Sequence, residues 1–116
     1  MIKNKKLTIK QVQKDFVNKK YTPEELLADT IKTIEILDSK YHAFVSTTFD
    51  EARDALKSDK KKSLWGIPSA LKDNFNWIGT KTTASSNILK NYTSPYNATV
   101  TQRLLENSAC IVGKTN

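Results

Sequence analysis

The 116-residue sequence predicts an α/β fold, and three observations carry that expectation. Residues 1–62 are rich in charge and place their apolar side chains at helical spacing, with capping signals where the stripes begin. Two later runs, "IPSALK" and "ACIVG", are strand-length and mostly apolar. A further helical stripe lies between them, so helix and strand alternate twice, the order of an α/β layer fold.

The elements follow in turn. "LTIKQVQKDFVNKK" puts Ile9, Val12, Phe16 and Val17 on one stripe, with Thr8 in place to cap it. Thr22-Pro23-Glu24-Glu25 is a stronger start, since it joins a capping box to a proline at the first helical position. From it Leu26, Leu27, Thr30, Ile31, Ile34 and Leu37, with Ile36, give an amphipathic helix to about residue 38. "HAFVSTT" reads as a short strand, and Asp50 as the cap of a third helix through Ala52, Ala55 and Leu56. "IPSALK" suits a strand buried on both faces, and "NWIGTKTTASS" a loop. Asn97 is placed to cap a helix carrying Val100, Leu104 and Leu105, and "ACIVG" closes the series as another buried strand. A sheet with so few core strands keeps an open edge and an uncovered face, so the core is expected to be incomplete.

Composition narrows the function classes. The net charge is +7, and Arg53 and Arg103 are the only arginines. Nucleic-acid sites that fork phosphates or base edges favour arginine. The lysines gather at Lys3, Lys5, Lys6, Lys10, Lys14, Lys19 and Lys20, and again at Lys60-Lys61-Lys62, without interleaved aromatics. They read as a solvated face, with a patch for RNA or an acidic partner as the alternative. Cys110 stands alone in an apolar run, which excludes an internal disulfide and suits a small packed hydrophobe. With His42 also single, no zinc spacing exists, and no metal is expected. No apolar run approaches the roughly 20 residues of a membrane span. The basic N-terminus lacks the apolar core of a secretory leader, so the expected location is cytoplasmic, away from any membrane.

One stretch needs a chemical explanation. In "WGIPSALKDN", residues 65–74, an apolar run ends on Lys72. A lysine near pKa ~10.4 is neutral in only about one molecule in 2,500 at pH 7. Burial that brings the value down to about 7.4 raises the neutral fraction to roughly 30%. An apolar strand is the setting a lysine base requires, although the residue type alone better fits a lysine at the end of a surface strand.

"LWGIPSALKDN", "TTASSNILKNYTSPYNATV" and "GKTN", in this order and spacing, resemble the opening of the amidase signature family. The TTxxSxxLxNY and PYxATV segments are most similar to the A subunits of tRNA-dependent amidotransferases, and the resemblance covers about residues 22–116. It implies that 1–62 is an N-terminal helical region and that 63–116 begins a mixed-sheet amidase core. That core stops before the family's Gly/Ser-rich segment with both catalytic serines and the oxyanion-hole amides. Ser85 and Ser86 match the earlier TTxxS block and are not those serines. Asn97 stands where the family usually has Asp, and Ser85 where related chains carry Ala or Gly.

The resemblance places the family's catalytic lysine on Lys72, where it deprotonates a bridging serine that activates a nucleophilic serine. It implies a glutamine-hydrolysing amidotransferase component that delivers ammonia to a B subunit. That partner uses ATP and magnesium to amidate misacylated Glu-tRNA(Gln) or Asp-tRNA(Asn), and a small C subunit stabilises the assembly. No cofactor is expected in this chain, and the stretch by itself is expected to be inactive. Two alternatives stay open: another amidase signature hydrolase with a different amide substrate, and a small basic module that binds RNA or protein.

Overall fold

A capping box starts the longest helix, and the rest of the architecture is built around one buried strand. The computed structural model describes residues 7–116. Lys3, Lys5 and Lys6 of the basic cluster therefore lie outside the described residues. The elements are α1 (Ile9–Val17), α2 (Pro23–Tyr41), β1 (Phe44–Thr47), α3 (Phe49–Ala55), β2 (Pro68–Lys72), a 3-10 turn (Asn87–Leu89), α4 (Thr99–Glu106) and β3 (Cys110–Thr115). The mixed α/β architecture is the one the sequence predicts.

Both N-terminal caps form as expected. The Thr8 hydroxyl accepts the Gln11 N–H at 3.1 Å. Thr22 and Glu25 exchange backbone and side-chain bonds at 2.8 and 3.1 Å, the reciprocal capping box. The α1 stripe is narrower than its spacing suggests: Val12 is buried, while Ile9 and Val17 face solvent. The helix packs on the rest where Val12 and Phe16 meet Tyr21, Leu26 and Ile67, and Gln13 donates to the Ser63 carbonyl at 2.7 Å. Helix α2 runs on to Tyr41, beyond the expected end near residue 38. Its stop is set by His42, which takes a left-handed φ of 50° and donates its N–H to the Asp38 carbonyl at 2.8 Å. The Asp38 carboxylate then accepts the N–H groups of Ala43 and Phe44, which turns the chain into β1.

Strand β3 lies between β1, antiparallel to it, and β2, parallel to it. Cys110 and Val112 pack with Leu27, Ile31 and Ala52, against α2 and α3. Ile111 joins Leu71 and Trp77 on the other side, under Leu104 and Leu105 of α4. Burying each of these Leu and Ile side chains contributes about 1.5–3 kcal/mol. Because β3 is paired on both sides, Cys110 through Lys114 are all buried. The expectation that β2 is buried on both faces fails: Leu71 is covered by Trp77 and Ile111, whereas Ala70 and Lys72 on the other face are exposed.

Register decides which side chains share a face. Ser69 pairs with Ile111 but Ala70 pairs with Gly113, so Val112 is an extra residue on β3 with no partner on β2. Such a bulge switches the side that the following residues take. By simple alternation Lys114 would join Cys110 and Val112 in the apolar cluster. After the slip it is paired beside Leu71 instead.

Two expected caps are used otherwise. Ala98 holds the N-cap position of α4, with no side-chain bond. The Asn97 carboxamide accepts the Ile78 N–H at 2.8 Å and donates to Gln102 Oε1 at 2.9 Å, so it ties the preceding loop to the helix. At α3 the cap position belongs to Thr48, whose hydroxyl donates to the Ile111 carbonyl at 2.7 Å, while Asp50 pairs with Arg53 at 2.9 Å.

Candidate active site

The C-terminal ends of the parallel strands β2 and β3 carry the only reactive group singled out by the sequence. Lys72 is the last residue of β2, exposed, and paired with Thr115 of β3. Its carbonyl accepts the Phe75 N–H at 3.0 Å, so the chain turns sharply after it. A cavity of about 140 Å³ opens here, bounded by Lys72, Asp73 and Asn74 on one side and by Ala84, Ser85 and Asn116 on the other. A larger groove of about 610 Å³ lies between α2 and α3, over Leu27, Ile31 and Leu56. Its rim carries Glu24, Lys32, Glu35, Arg53 and Lys57, with no hydroxyl or thiol to act as a nucleophile.

The wall of the small cavity opposite Lys72 is a loop under constraint. Ala84 and Ser85 both adopt left-handed backbone, with φ of 47° and 58°. Each such residue with a Cβ costs about 1–2 kcal/mol. The Ser85 position, where the resemblance expects Ala or Gly, is thus one that glycine would occupy without strain. The Ser85 hydroxyl donates to Asn116 Oδ1, closing the loop over the end of β3.

Behind that wall lies a second lysine that composition and spacing did not single out. Lys114 has no exposed surface. Its Nζ donates to the Lys81 carbonyl and to Thr82 Oγ1, both at 2.9 Å, and stands 3.5 Å from Asp73 Oδ1. Burial pulls its pKa below the usual lysine value, and the Asp73 carboxylate holds it back toward the charged form. Asp73 is itself buried and holds the loop by its other oxygen: Oδ2 accepts the Thr83 N–H at 3.2 Å and the Thr83 hydroxyl. Its backbone is engaged as well, with N–H to the Thr115 carbonyl at 2.7 Å and carbonyl from the Ala84 N–H at 3.0 Å. A signal for this pair was present. Lys114 follows the apolar run "ACIVG" as Lys72 follows "IPSAL", and Asp73 follows Lys72 directly.

The structure brings Lys72 together with parts of all three sequence blocks: Asp73 and Asn74 of the first, Ser85 of the second, Asn116 of the third. Cys110 is sealed in the α2/α3 cluster, and burial pushes its thiol up to about 11, the setting of a packed hydrophobe. His42 serves the end of α2. Among the described residues, no group of three or more His, Cys, Asp or Glu side chains could hold a metal ion, and no helix is long and apolar enough to cross a membrane.

The family model described as Amidase matches residues 25–116. The A subunit of the glutamyl-tRNA(Gln) amidotransferase from Halothermothrix orenii is 46% identical over 110 residues, covering 95% of this chain and 23% of that protein. The crystal structure of the corresponding glutamyl-tRNA(Gln) amidotransferase A subunit from Thermotoga maritima superposes with a TM-score of 0.73 at 35% identity, over 96% of this chain and 23% of that one. A 6-aminohexanoate cyclic dimer hydrolase superposes with a TM-score of 0.81 at 25% identity, over 96% and 24%. The chain thus spans about a quarter of the length of the relatives it matches.

Proposed function

This chain belongs to the amidase signature family, and on that footing we propose that it is the N-terminal part of a tRNA-dependent amidotransferase A subunit, with Lys72 as its general base. The observation that supports this most is similarity to A subunits across almost the whole chain, with Lys72 open to a cavity at the strand ends. In this reading the downstream serine segment packs over the cavity and excludes water from Lys72. The neutral amine takes a proton from the bridging serine, which takes one from the nucleophilic serine. That serine adds to the side-chain carboxamide of glutamine, the proton held by Lys72 returns through the bridging serine to the leaving nitrogen as the C–N bond breaks, ammonia leaves, and water then hydrolyses the glutamyl ester to glutamate and frees the serine. Ammonia passes to the B subunit, where ATP and magnesium support amidation of the misacylated tRNA, and the C subunit holds the complex together in the cytoplasm.

The test uses a full-length protein, made by joining this chain at Asn116 to the downstream part of the Thermotoga maritima A subunit. Ammonia release from glutamine is expected to fall by about 10²–10⁴ in Lys72→Ala. Lys72→Arg should be nearly as damaging, because a guanidinium stays protonated and cannot accept the proton. An Arg variant that retains most of the activity would show Lys72 to be a charge and not a base. A parent protein that cleaves other amides and leaves glutamine untouched would support the wider amidase reading. Residues 1–116 alone are expected to release no ammonia, since neither serine nor the oxyanion donors are among them.

A further inference from the structure

The buried pair behind the cavity has a geometry that packing alone does not require. An ion pair sealed from water is seldom the most stable choice, since apolar side chains of similar volume do as well or better. Here the pair is also asymmetric. Lys114 makes two short bonds to the loop, at Lys81 and Thr82, and keeps Asp73 at 3.5 Å. Asp73 in turn commits Oδ2 to Thr83 and its carbonyl to Ala84. Every one of these bonds ends on residues 81–84, at the left-handed pair Ala84 and Ser85 or immediately before it. Strained backbone of this kind persists only where its surroundings over-determine it.

We propose that Lys114 is a positioning residue for Lys72: with Asp73 it clamps loop 81–85 onto the ends of β2 and β3 and so fixes the wall facing the Lys72 amine. The amine of Lys114 does not reach the cavity and touches no reacting atom, so its effect passes through Asp73, Thr82 and Thr83. Asp73 adjoins Lys72 in the chain, so any shift of the clamp displaces the end of β2 that carries the base. Misplacement of a catalytic group by about 1 Å can lower a rate by on the order of 10².

The inference rests on the role proposed for Lys72, and the experiment separates the two. In the full-length protein described above, Thr83→Val removes one hydroxyl bond to Asp73, Thr83→Ser restores it, and Lys114→Met removes the ammonium. The expected result is a fall in kcat of tenfold or more for Thr83→Val, with KM within about twofold of the parent and kcat rescued by Thr83→Ser. Lys114→Met should lower kcat in the same way. If it does not fold, the Thr83 pair decides alone. A Thr83→Val variant that keeps the parent kcat, or a Thr83→Ser variant that loses as much, overturns the clamp while Lys72→Ala still abolishes turnover. Activity retained in Lys72→Ala overturns the catalytic reading and the clamp with it.

Discussion

Two lysines stand at the C-terminal ends of neighbouring strands, Lys72 last in β2 and Lys114 next to last in β3, and they differ in burial and in partners. Lys72 closes an edge strand, faces an open cavity and is exposed. Lys114 sits on the central strand with no exposed surface, and carbonyl, hydroxyl and carboxylate oxygens surround its amine. A lysine that exchanges protons needs an opening toward its reacting partner, whereas a structural one has only to be satisfied. Burial and access therefore part company: the more buried lysine is the one that reaches no cavity. The difference originates in the sheet, because β3 is covered by strands on both sides and β2 on one.

The sharpest way to break this contrast is to truncate each lysine and measure stability. Lys114→Ala should lower the urea unfolding free energy by about 3–5 kcal/mol, the cost of leaving a buried charge without its partner. Lys72→Ala should stay within about 0.5 kcal/mol of the parent, as an exposed substitution does. Equal losses would mean that Lys72 is structural too. Removing both members of the buried pair, Asp73→Asn with Lys114→Met, should recover part of the loss, because neither charge is then left alone.

A smaller effect tests how tightly β3 is held between its neighbours. A Cβ on Gly113 would lie 2.6 Å from the Ser46 carbonyl oxygen and 2.7 Å from Phe44 Cδ1. Gly113→Ala is therefore expected to cost about 1–3 kcal/mol and to loosen β1, readable by urea unfolding and by exchange of the Thr48 amide, which donates to the Val112 carbonyl at 2.9 Å. Unchanged stability would show that β1 is not pressed against β3 at Gly113.

Cys110 gives a pH signature on the same strand. Its thiol is raised from 9.0 to about 11 by burial. The folded state thus favours the protonated thiol, and that stabilisation is whole below pH 9 and fades as pH rises through about 11. The stability difference between the parent and Cys110→Ala should accordingly shrink from pH 9 to pH 11. A constant difference would show that the thiol does not titrate with unfolding.

The smallest expected effect lies on the Lys72 side. Ser85→Gly relieves one left-handed residue but adds freedom to the unfolded chain, so a net gain of about 0.5–1 kcal/mol is expected in thermal or urea unfolding. A loss would mean that the Ser85 hydroxyl bond to Asn116 outweighs the strain.

Much of this molecule was legible as sequence. The Thr8 and Thr22 caps, the α2 stripe through Leu27 and Ile31, and the strand character of "ACIVG" depend on near neighbours, so local chemistry fixed them. The family, too, was readable from three short blocks. What the sequence could not decide is where a side chain goes when two distant segments compete for it. Asn97 and Thr48 have the chemistry of caps, yet Ile78 and Ile111 take their bonds. The exposure of Ile9, Val17, Ala70 and Lys72 follows from which neighbours arrive, and periodicity does not encode that. The buried pair depends most on tertiary structure. Asp73 and Lys114 are 41 positions apart in sequence, and they meet only because β2 and β3 lie parallel and one extra residue on β3 redirects every side chain after it.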